Sequence, residues 1–574
     1  MPELLRLRSL AEPDAVALVV DGGPALTYRQ WEDRSGAVAR ALAQRGVAHG
    51  DRVLLVFDNH RWTDFAVSYV GVLEAGATAV PASPRLTSRE VTAIAGHCGA
   101  RVIVAPPDLV PEAWSGPVVD PADVDGDGGA GPLPQVTPGD LAEILYTSGT
   151  TGAPKGVACS HENILGHDLP SEPGREAPSR ASFVHAFPIG TNAGQEVLRL
   201  PLRRGDRTAI VLPVFDPCRL CALVAEHRVR RLQLVPAMGQ LLVASGALGR
   251  YDVSSLERVT LSSAPAPPRL FARLAEALPG VSLWNAYALT EAGGARTLAA
   301  YDPNRPACVG FPVGETEVKV VDGAGDLASA GEVGDIWLRR RATPTRWYYR
   351  DPQATSTTFV DGWVRTGDVG YLDEHGALYL VDRRSDLIIS GGANVSSVEV
   401  ENVLYEHPSV SEAAVFPWSH PVLGEDVAAA VVLHETASPA SLQAFVRERL
   451  AEHKTPHRLF FVETLPRNAS GKVLKRELRE RLEGESVATD QRLPGDSVEQ
   501  AIAAIWQEVL GLQLVGVDDD FFDCGGHSLA SAQIMARLVD RFQVELPVSV
   551  LFEAPTVAQL AEVVRHQRAR ESLH

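Results

Sequence analysis

The sequence predicts a multidomain α/β protein: a large N-terminal part with parallel sheets and a small β-rich unit, a smaller α/β part, and a four-helix bundle on a tether. Three observations predict it. Short apolar runs alternate with helix-period segments from Leu26 to Trp284, the pattern of strands joined by crossover helices. From about 307 to 382 the texture changes to Gly-rich turns and short strands. Beyond a Glu/Ser/Thr/Pro/Gly stretch, Ile502, Ile505, Trp506 and Val509 recur at helical spacing, as do Ala530, Ile534 and Leu538. A chain of 574 residues exceeds one ordinary core. The boundaries implied are 1–382, 383–482, a linker over 483–496, and the bundle over 497–568.

The elements follow in order. Val53–Val56, Ala79–Pro81 and Val102–Ala105 read as strands, with a helix over Phe65–Leu73, and Pro106–Gly139 as a connecting surface loop. Leu141–Leu145 is a strand, and further strands are expected at Ala209–Leu212, Arg231–Val235, Val259–Ser263 and Val281–Trp284, with helices over Leu220–His227 and Arg269–Ala277. The β-rich segment contains Glu317–Val321, Asp335–Leu338 and Ala377–Val381. Helix Val398–Tyr405, strands Glu412–Phe416 and Ala428–Leu433, and helix Ser441–Glu452 follow. A last helix runs over Val557–Val564, with Thr556 near its cap.

Composition narrows the function classes. Hydrophobic content of 45% with 22% charged residues is that of a soluble globular protein. The N-terminus lacks a signal-peptide apolar core and no run approaches the roughly 20 residues that span a bilayer, so a cytoplasmic protein with no membrane partner is expected. Six cysteines in so long a chain do not make a disulfide scaffold, and the Cys218/Cys221 pair has no second pair at metal-site spacing. A formal charge of −19 with no basic domain argues against nucleic acid. The 497–568 module holds ten acidic and four basic residues, an acidic bundle suited to being handed between partners.

The stretch from Tyr146 to Gly156 carries Thr147, Ser148, Thr150 and Thr151, three glycines, and Lys155 at its far end. Such a loop can wrap phosphate oxygens with backbone N–H groups, hydroxyls and one mobile cation. Its spacing and ending exclude the common P-loop. Other short motifs stand downstream: Asn285 to Glu291 (N-A-Y-A-L-T-E), Trp363 to Asp368 (W-V-R-T-G-D), Asp382 to Asp386 (D-R-R-S-D), Pro466 to Lys475 (P-R-N-A-S-G-K-V-L-K), and Phe521 to Leu529 (F-F-D-C-G-G-H-S-L).

In this order and spacing the motifs resemble those of the adenylate-forming superfamily, which comprises acyl-CoA synthetases, adenylation domains of nonribosomal peptide synthetases, and luciferases. The segment behind them resembles a phosphopantetheine-dependent acyl or peptidyl carrier domain. The resemblance implies a 1–382 adenylation subdomain, a mobile 383–482 subdomain and a carrier bundle. It implies that Thr147, Ser148, Thr150, Thr151 and Lys155 surround the β- and γ-phosphates of ATP. Tyr287 would stack on adenine, Asn285 bond its edge, Thr290 touch phosphate and Glu291 hold Mg²⁺; the family's glycine is Ala288 here. Asp368 would accept both ribose hydroxyls, as a two-oxygen acceptor can. Arg383 would reach the nucleotide. Ser385 falls at the hinge, where Asp or Lys is commoner. Ser390 to Asn394 would border the thiol's path. Lys472 would be the catalytic lysine, meeting negative charge at the substrate carboxylate and α-phosphate. Ser528 would carry 4′-phosphopantetheine, with Asp523 aiding the modifying enzyme.

The acid-binding pocket implied by the same resemblance is lined by His185, Ala186, Phe187, Gly190, Val259, Leu261, Ala286, Gly294 and Ala295. Members that activate α-amino acids place an aspartate where Ala186 stands. Burying a substrate ammonium without it costs on the order of several kcal/mol. An aryl or short to medium acyl acid without an α-amino group is therefore expected. The implied cofactors are ATP, Mg²⁺ and 4′-phosphopantetheine. The implied partners are a small carboxylic acid, a phosphopantetheinyl transferase, and a downstream synthase, condensation or tailoring enzyme that accepts the thioester. Two rival readings are an amino-acid-loading didomain and a carrier-bearing interaction protein with a degenerate adenylation half.

Overall fold

The computed structural model describes residues 1–83, 86–124, 133–147, 155–165, 181–204, 207–305, 307–341, 343–420, 424–468, 471–487, 494–510, 515–521, 528–544, 546–547 and 549–571. Within these spans the side chains of 181, 204, 207, 484–487, 528, 529, 552, 570 and 571 are not described. The predicted phosphate-loop residues Ser148, Thr150 and Thr151, and Asp523 of the carrier motif, lie outside the described residues. Two compact units form: Met1–Val381 with Arg467–Lys472, and Asp382–Pro466 with Val473–His574.

Among the described residues the first unit holds three sheets. One runs in the order Ala25–Thr27, Val16–Val20, Arg207–Val211, Ala181–His185. The second runs Trp347–Tyr348, Lys155–Ser160, Leu141–Thr147, Thr78–Ala82, Arg52–Val56, Ala100–Val104, Val118–Val119 and is parallel through its centre. A parallel strand covered by helices on both sides must be apolar on both faces, and every residue of Thr78–Ala82 is buried. Helices Tyr28–Gln44 and Trp62–Glu74 cover these sheets, the first opened by a capping box between Thr27 and Gln30. Trp31 donates its indole N–H to the Ala66 carbonyl at 3.0 Å, so a fully buried aromatic keeps its polar atom paired.

The buried Glu143 sits on Leu141–Thr147, the strand that feeds the phosphate loop. Arg199 donates to both its oxygens at 2.9 and 3.0 Å, and the Tyr69 hydroxyl donates at 2.8 Å. Burial is the largest influence on Arg199 and weakens its cation, but Glu143, Glu196 and the neighbouring Tyr69 and Cys159 together outweigh it and hold the guanidinium protonated. Burial, reinforced by the Glu143 charge, holds the Tyr69 phenol neutral. Such a buried charge is tolerable only because partners meet it in good geometry.

The third sheet positions the site. Its order is Arg231–Leu234, Arg258–Leu261, Ser282–Ala288, Arg296–Ala300, Cys308–Pro312, Leu378–Arg383, Trp363–Leu372, Gly334–Arg340, Thr316–Val321. The β-rich segment is thus the continuation of this sheet through Cys308–Pro312. Four strand-to-strand steps separate Ser282–Ala288 from Trp363–Leu372, roughly 19 Å on a flat sheet. Yet the Tyr287 hydroxyl donates to Asp368 at 2.6 Å, so the sheet curls back on itself. Gly310 makes the bend possible. Its φ of +98° lies at a register shift opposite Leu378–Arg383, and a Cβ there would fall 2.0 Å from the Leu298 carbonyl. Asn285 Nδ2 reaches across one strand to the Cys308 carbonyl at 3.3 Å, and Thr297 Oγ1 donates to the Val309 carbonyl at 2.6 Å. Inside the curl Tyr287, Ala292, Ala295, Val309, Val320, Ile336, Leu338 and Leu378 share one core.

The second unit contains a five-stranded sheet made of Ala393–Val395, Ile388–Ser390, Gly424–Leu433 and Val410–His420, with Arg458–Phe461 beside Gly424–Leu433. The bundle comprises helices Ser497–Leu510, Ser528–Phe542, Val550–Glu553 and Val557–Glu571 around its own core, where Trp506 meets Phe521 edge-on at 5.4 Å. Thr556 Oγ1 caps the last helix, accepting from Gln559 N at 3.2 Å.

Two expectations change. The loop expected over 106–139 holds the short strand Val118–Val119 and the turn Pro107–Leu109, since Val119 is apolar and pairs with Val104. Helix Lys475–Val487 extends into the expected linker because Leu478 and Leu482 are buried against Phe416 and Trp418. No described helix is long and apolar enough to cross a membrane.

Gly310→Ala should cost about 3 kcal/mol or more, because it adds left-handed backbone strain to a backbone clash. Denaturant melts would show this, and a loss below about 1 kcal/mol would contradict the account of the bend.

Candidate functional site

The curl brings two predicted groups into direct contact. Tyr287 and Asp368 are both buried, and the phenol holds the carboxylate through Oδ2. The backbone N–H of Asp368 is bonded in turn to Thr366 Oγ1 at 3.0 Å, and Thr366 donates to the Ile336 carbonyl at 2.7 Å. An ionised carboxylate fixed this way keeps acceptor capacity for hydroxyl donors. Asn285 shares the inward face of the strand with Tyr287, while Ala286 points to the other side.

A second cluster gathers around Glu291. Lys155 opens the strand after the predicted phosphate loop and pairs in register with Thr147 at the end of the preceding strand. Trp347–Tyr348 lies antiparallel to it, with Tyr348 opposite Val157. The Tyr348 hydroxyl donates to Glu291 Oε1 at 3.1 Å, and Lys155 Nζ stands 5.0 Å from the Tyr348 ring centre. The turn bearing Thr290 and Glu291 is clamped by buried Arg346, which donates to the Thr290 carbonyl at 2.5 Å and to Asn163 Oδ1 at 2.7 Å. Asn163 Nδ2 donates onward to the Pro344 carbonyl at 2.7 Å. The motifs did not flag Tyr348, Arg346 or Asn163. Arg346 and Tyr348 had one signal, the Arg-Trp-Tyr-Tyr run at 346–349, and Asn163 had none.

Mg²⁺ fits this cluster as a single-carboxylate ion. Among the described residues no group of three or more His, Cys, Asp or Glu could hold a metal by itself. One carboxylate plus substrate phosphates and water is the arrangement this ion commonly takes.

Of the nine residues expected to line the acid pocket, Phe187 packs in one core, Ala186, Val259 and Leu261 in a second, and Ala295 in a third. His185 ends the strand Ala181–His185, its ring stacked near Phe183 and Phe187 and edge-on to Trp62 at 5.2 Å. Its Nδ1 accepts from Phe187 N at 3.3 Å, which puts the proton of the neutral ring on Nε2, a buried atom with no partner among the described residues. Gly190, at φ +78°, lets the chain pass against the Ser83 backbone, where a Cβ would lie 2.7 Å from Ser83 N. Ala186, Val259 and Leu261 belong to one core with Leu270 and Phe271, so the face of Arg258–Leu261 that Val259 and Leu261 occupy packs with helix Pro268–Ala277. Ala295 packs with Tyr287, and Gly294 has Arg340 alongside. Gln195, on helix Asn192–Arg204, was not foreseen: both its amide atoms are buried without partners among the described residues. Buried polar atoms of this kind call for a ligand or an ordered water.

The predicted catalytic loop belongs to the first unit, although its flanks belong to the second. Lys472 N donates to Asn468 Oδ1 and Asn468 N to the Lys472 carbonyl, both at 2.9 Å. Arg467 donates to the Gly471 carbonyl at 2.8 Å, and Gly471 takes φ +83°. The units divide between Val381 and Asp382, three residues before the predicted hinge Ser385, whose hydroxyl donates to Asp386 at 2.9 Å. Arg383 is half-buried at this junction. Ser390 to Asn394 span a hairpin in which Gly391 and Gly392 turn between strands Ile388–Ser390 and Ala393–Val395. Ser528 is the first residue of helix Ser528–Phe542, in the bundle.

Comparison with known proteins agrees with this geometry. The sequence matches the AMP-binding enzyme family over residues 6–349, the AMP-binding enzyme C-terminal domain over 399–472, and the phosphopantetheine attachment site over 500–564. It is 34% identical to the 2-succinylbenzoate–CoA ligase of Geobacillus kaustophilus, over 83% of this chain and 97% of that protein. It is 32% identical to the fatty acid–[acyl-carrier-protein] ligase ScoC of Streptomyces coeruleorubidus, over 83% of this chain and 95% of that one. Tyrocidine synthase 3 of Brevibacillus parabrevis matches 97% of this chain at 27% identity, but the match spans only 9% of that protein. Among solved structures, the o-succinylbenzoate CoA synthetase of Bacillus subtilis with its acyl-adenylate intermediate superimposes at TM-score 0.73, with 26% identity over 83% of this chain and 98% of that one. ATP-bound MatB from Rhodopseudomonas palustris gives TM-score 0.73 and 28% identity over 84% and 99%. The chain belongs to the AMP-binding, adenylate-forming enzyme family, and is a ligase that forms acyl-adenylates and carries a phosphopantetheine attachment domain of its own.

Proposed function

We propose that this ligase activates an aryl or short to medium acyl acid lacking an α-amino group and loads it onto its own carrier domain as the entry module of a natural-product pathway. The observation that carries this reading is one chain holding both the Asp368–Tyr287 and Glu291–Tyr348–Lys155 groups and a bundle whose helix begins at Ser528. Tyr287 and Asn285 receive adenine, and Asp368 receives the ribose hydroxyls. Thr147, Ser148, Thr150, Thr151 and Lys155 surround the phosphates, with Thr290 beside them. Glu291 would hold Mg²⁺, which would supply charge neutralisation at the phosphates. A carboxylate oxygen of the acid attacks the α-phosphorus and the bond to pyrophosphate breaks. Lys472 stabilises the charge gathering there. The second unit then swings about the Asp382–Ser385 junction, which withdraws Lys472. The acyl carbon passes to the carrier thiol and AMP departs. The pantetheine arm on Ser528 supplies that thiol. A phosphopantetheinyl transferase installs the arm, and a downstream synthase, condensation or tailoring enzyme accepts the product. The same proposal places the reaction in the cytoplasm, supported by five described cysteines that are all unbridged.

The uncharged tail is supported by the residues expected at the acid. None of the nine carries a formal charge, and burial pulls the His185 imidazole from 6.5 down to about 3, so it is neutral. The match to tyrocidine synthase 3, which spans 97% of this chain, favours a second reading, an amino-acid-loading didomain.

Incubating the pantetheinylated protein with ATP, Mg²⁺ and a panel of aryl, fatty, β-amino and α-amino acids separates the two. Intact mass should show a gain from an uncharged acid, absent in Ser528→Ala and reduced about 100-fold or more in Lys472→Ala. A gain from amino acids alone would establish the second reading. His185 gives an independent check. Its folded pKa lies below the unfolded value, so its contribution to stability is complete above pH 6.5. It is lost by about 1.4 kcal/mol per pH unit as pH falls toward 3. Urea melts of His185→Phe should show that slope flattened, and an unchanged slope would mean that the imidazole is not buried neutral.

A further inference from the structure

The second unit holds a buried ionic cluster that no step above uses. Lys475 and Glu401 expose only 17% and 14% of their side chains and pair at 2.7 Å. Lys475 Nζ also donates to Ser397 Oγ at 2.6 Å, and that hydroxyl donates onward to Asp382 Oδ2 at 2.8 Å. The same Asp382 oxygen accepts from Ser397 N at 2.6 Å and from Ser396 Oγ at 3.3 Å, at the N-terminus of helix Ser397–Glu406, where a carboxylate is favoured. Glu401 Oε1 accepts from Val415 N at 2.9 Å. Four segments therefore meet in one relay: the strand entering the hinge, the helix after it, the strand Val410–His420, and the start of helix Lys475–Val487. Burial pulls the Lys475 ammonium down, but Glu401, Asp382 and Asp386 outweigh it and keep the lysine charged.

The chain positions of the two ends matter. Asp382 is the first residue of the second unit, and Lys475 stands three residues beyond Lys472. The base of the loop between them is closed by Leu474 N donating to the Pro466 carbonyl at 2.8 Å. An ion pair buried this well is poor value as a stabiliser against apolar replacements, and its best-attested use is to enforce one geometry.

We propose that Asp382, Ser397, Glu401 and Lys475 form a positioning network that couples the hinge strand to the base of the Lys472 loop, so that hinge and loop move as one piece. The effect on catalysis rests on the role proposed for Lys472; the mechanical coupling does not. The test compares full-length wild type, Lys475→Met and Lys475→Arg by hydrogen–deuterium exchange without substrate. Lys475→Met should speed exchange at Asn468, Gly471, Lys472 and Leu474 by about 10-fold or more, leave Val410–His420 protected, and be largely reversed in Lys475→Arg. With an acid that loads the carrier, Lys475→Met should also slow adenylate formation with little change in KM for ATP. Transfer from presynthesised adenylate should change less than about 3-fold. Unchanged loop exchange, or a rise spread equally over Val410–His420, would overturn the network. A loop-specific rise in a protein whose wild type activates no acid would leave the network standing and refute the proposed function instead.

Discussion

The hydrogen bond from Tyr287 to Asp368 can exist only because a long sheet closes on itself, and the nucleotide-binding half of the molecule depends on that closure. Backbone pairing alone would carry the two strands far apart. The bend is concentrated where Gly310 lets one strand cross another at a distance no side chain tolerates. Asn285 and Thr297 then spend side-chain hydrogen bonds on holding the bend. The interior of the curl is filled by Ala, Val, Ile and Leu side chains around Tyr287, so the phenol that holds the Asp368 carboxylate is itself firmly packed. Rigidity of this kind is what a binding group needs, because a carboxylate aimed in advance loses little freedom on meeting its ligand.

Buried charge serves the same end in both units. Glu143 holds the strand that feeds the phosphate loop, through Arg199 and Tyr69. Asp382 and Glu401 hold the hinge strand and the helix after the Lys472 loop, through Ser397 and Lys475. Neither cluster is an efficient source of stability, since apolar residues of equal volume often serve as well or better. Both fix the geometry of a segment adjoining the proposed chemistry. Asp382 accepts four hydrogen bonds around the start of helix Ser397–Glu406, which ties the hinge strand to that helix.

Much of this was legible in the sequence because the informative groups are contiguous. A glycine- and threonine-rich turn, a Tyr followed by Thr-Glu, and a Ser behind two glycines each carry their meaning within ten residues or so. The strands of the parallel sheets were legible from apolar runs, since covered strands must be apolar on both faces. Residues that act across long separations were not. Tyr348 lies 57 residues beyond Glu291, and Arg346 lies 183 beyond Asn163, so only the fold joins them. The acid pocket has no contiguous motif to mark it. Val259 and Leu261 alternate as pocket residues would, but a strand's period says which residues share a face and not what covers it. The helix running to Val487 was hidden by polar composition, its packing resting on few apolar contacts such as Leu478 and Leu482.

The central claim is that acid activation belongs to the adenylate-forming part of the chain and precedes any use of the carrier. Exchange of labelled pyrophosphate into ATP by the full-length Ser528→Ala protein measures this directly, because that variant can form no thioester. The account predicts acid-dependent exchange at a rate within about 2-fold of wild type, for the same acid that loads the wild-type carrier. Exchange that is absent from the variant while present in wild type, or that proceeds equally without acid, would contradict it.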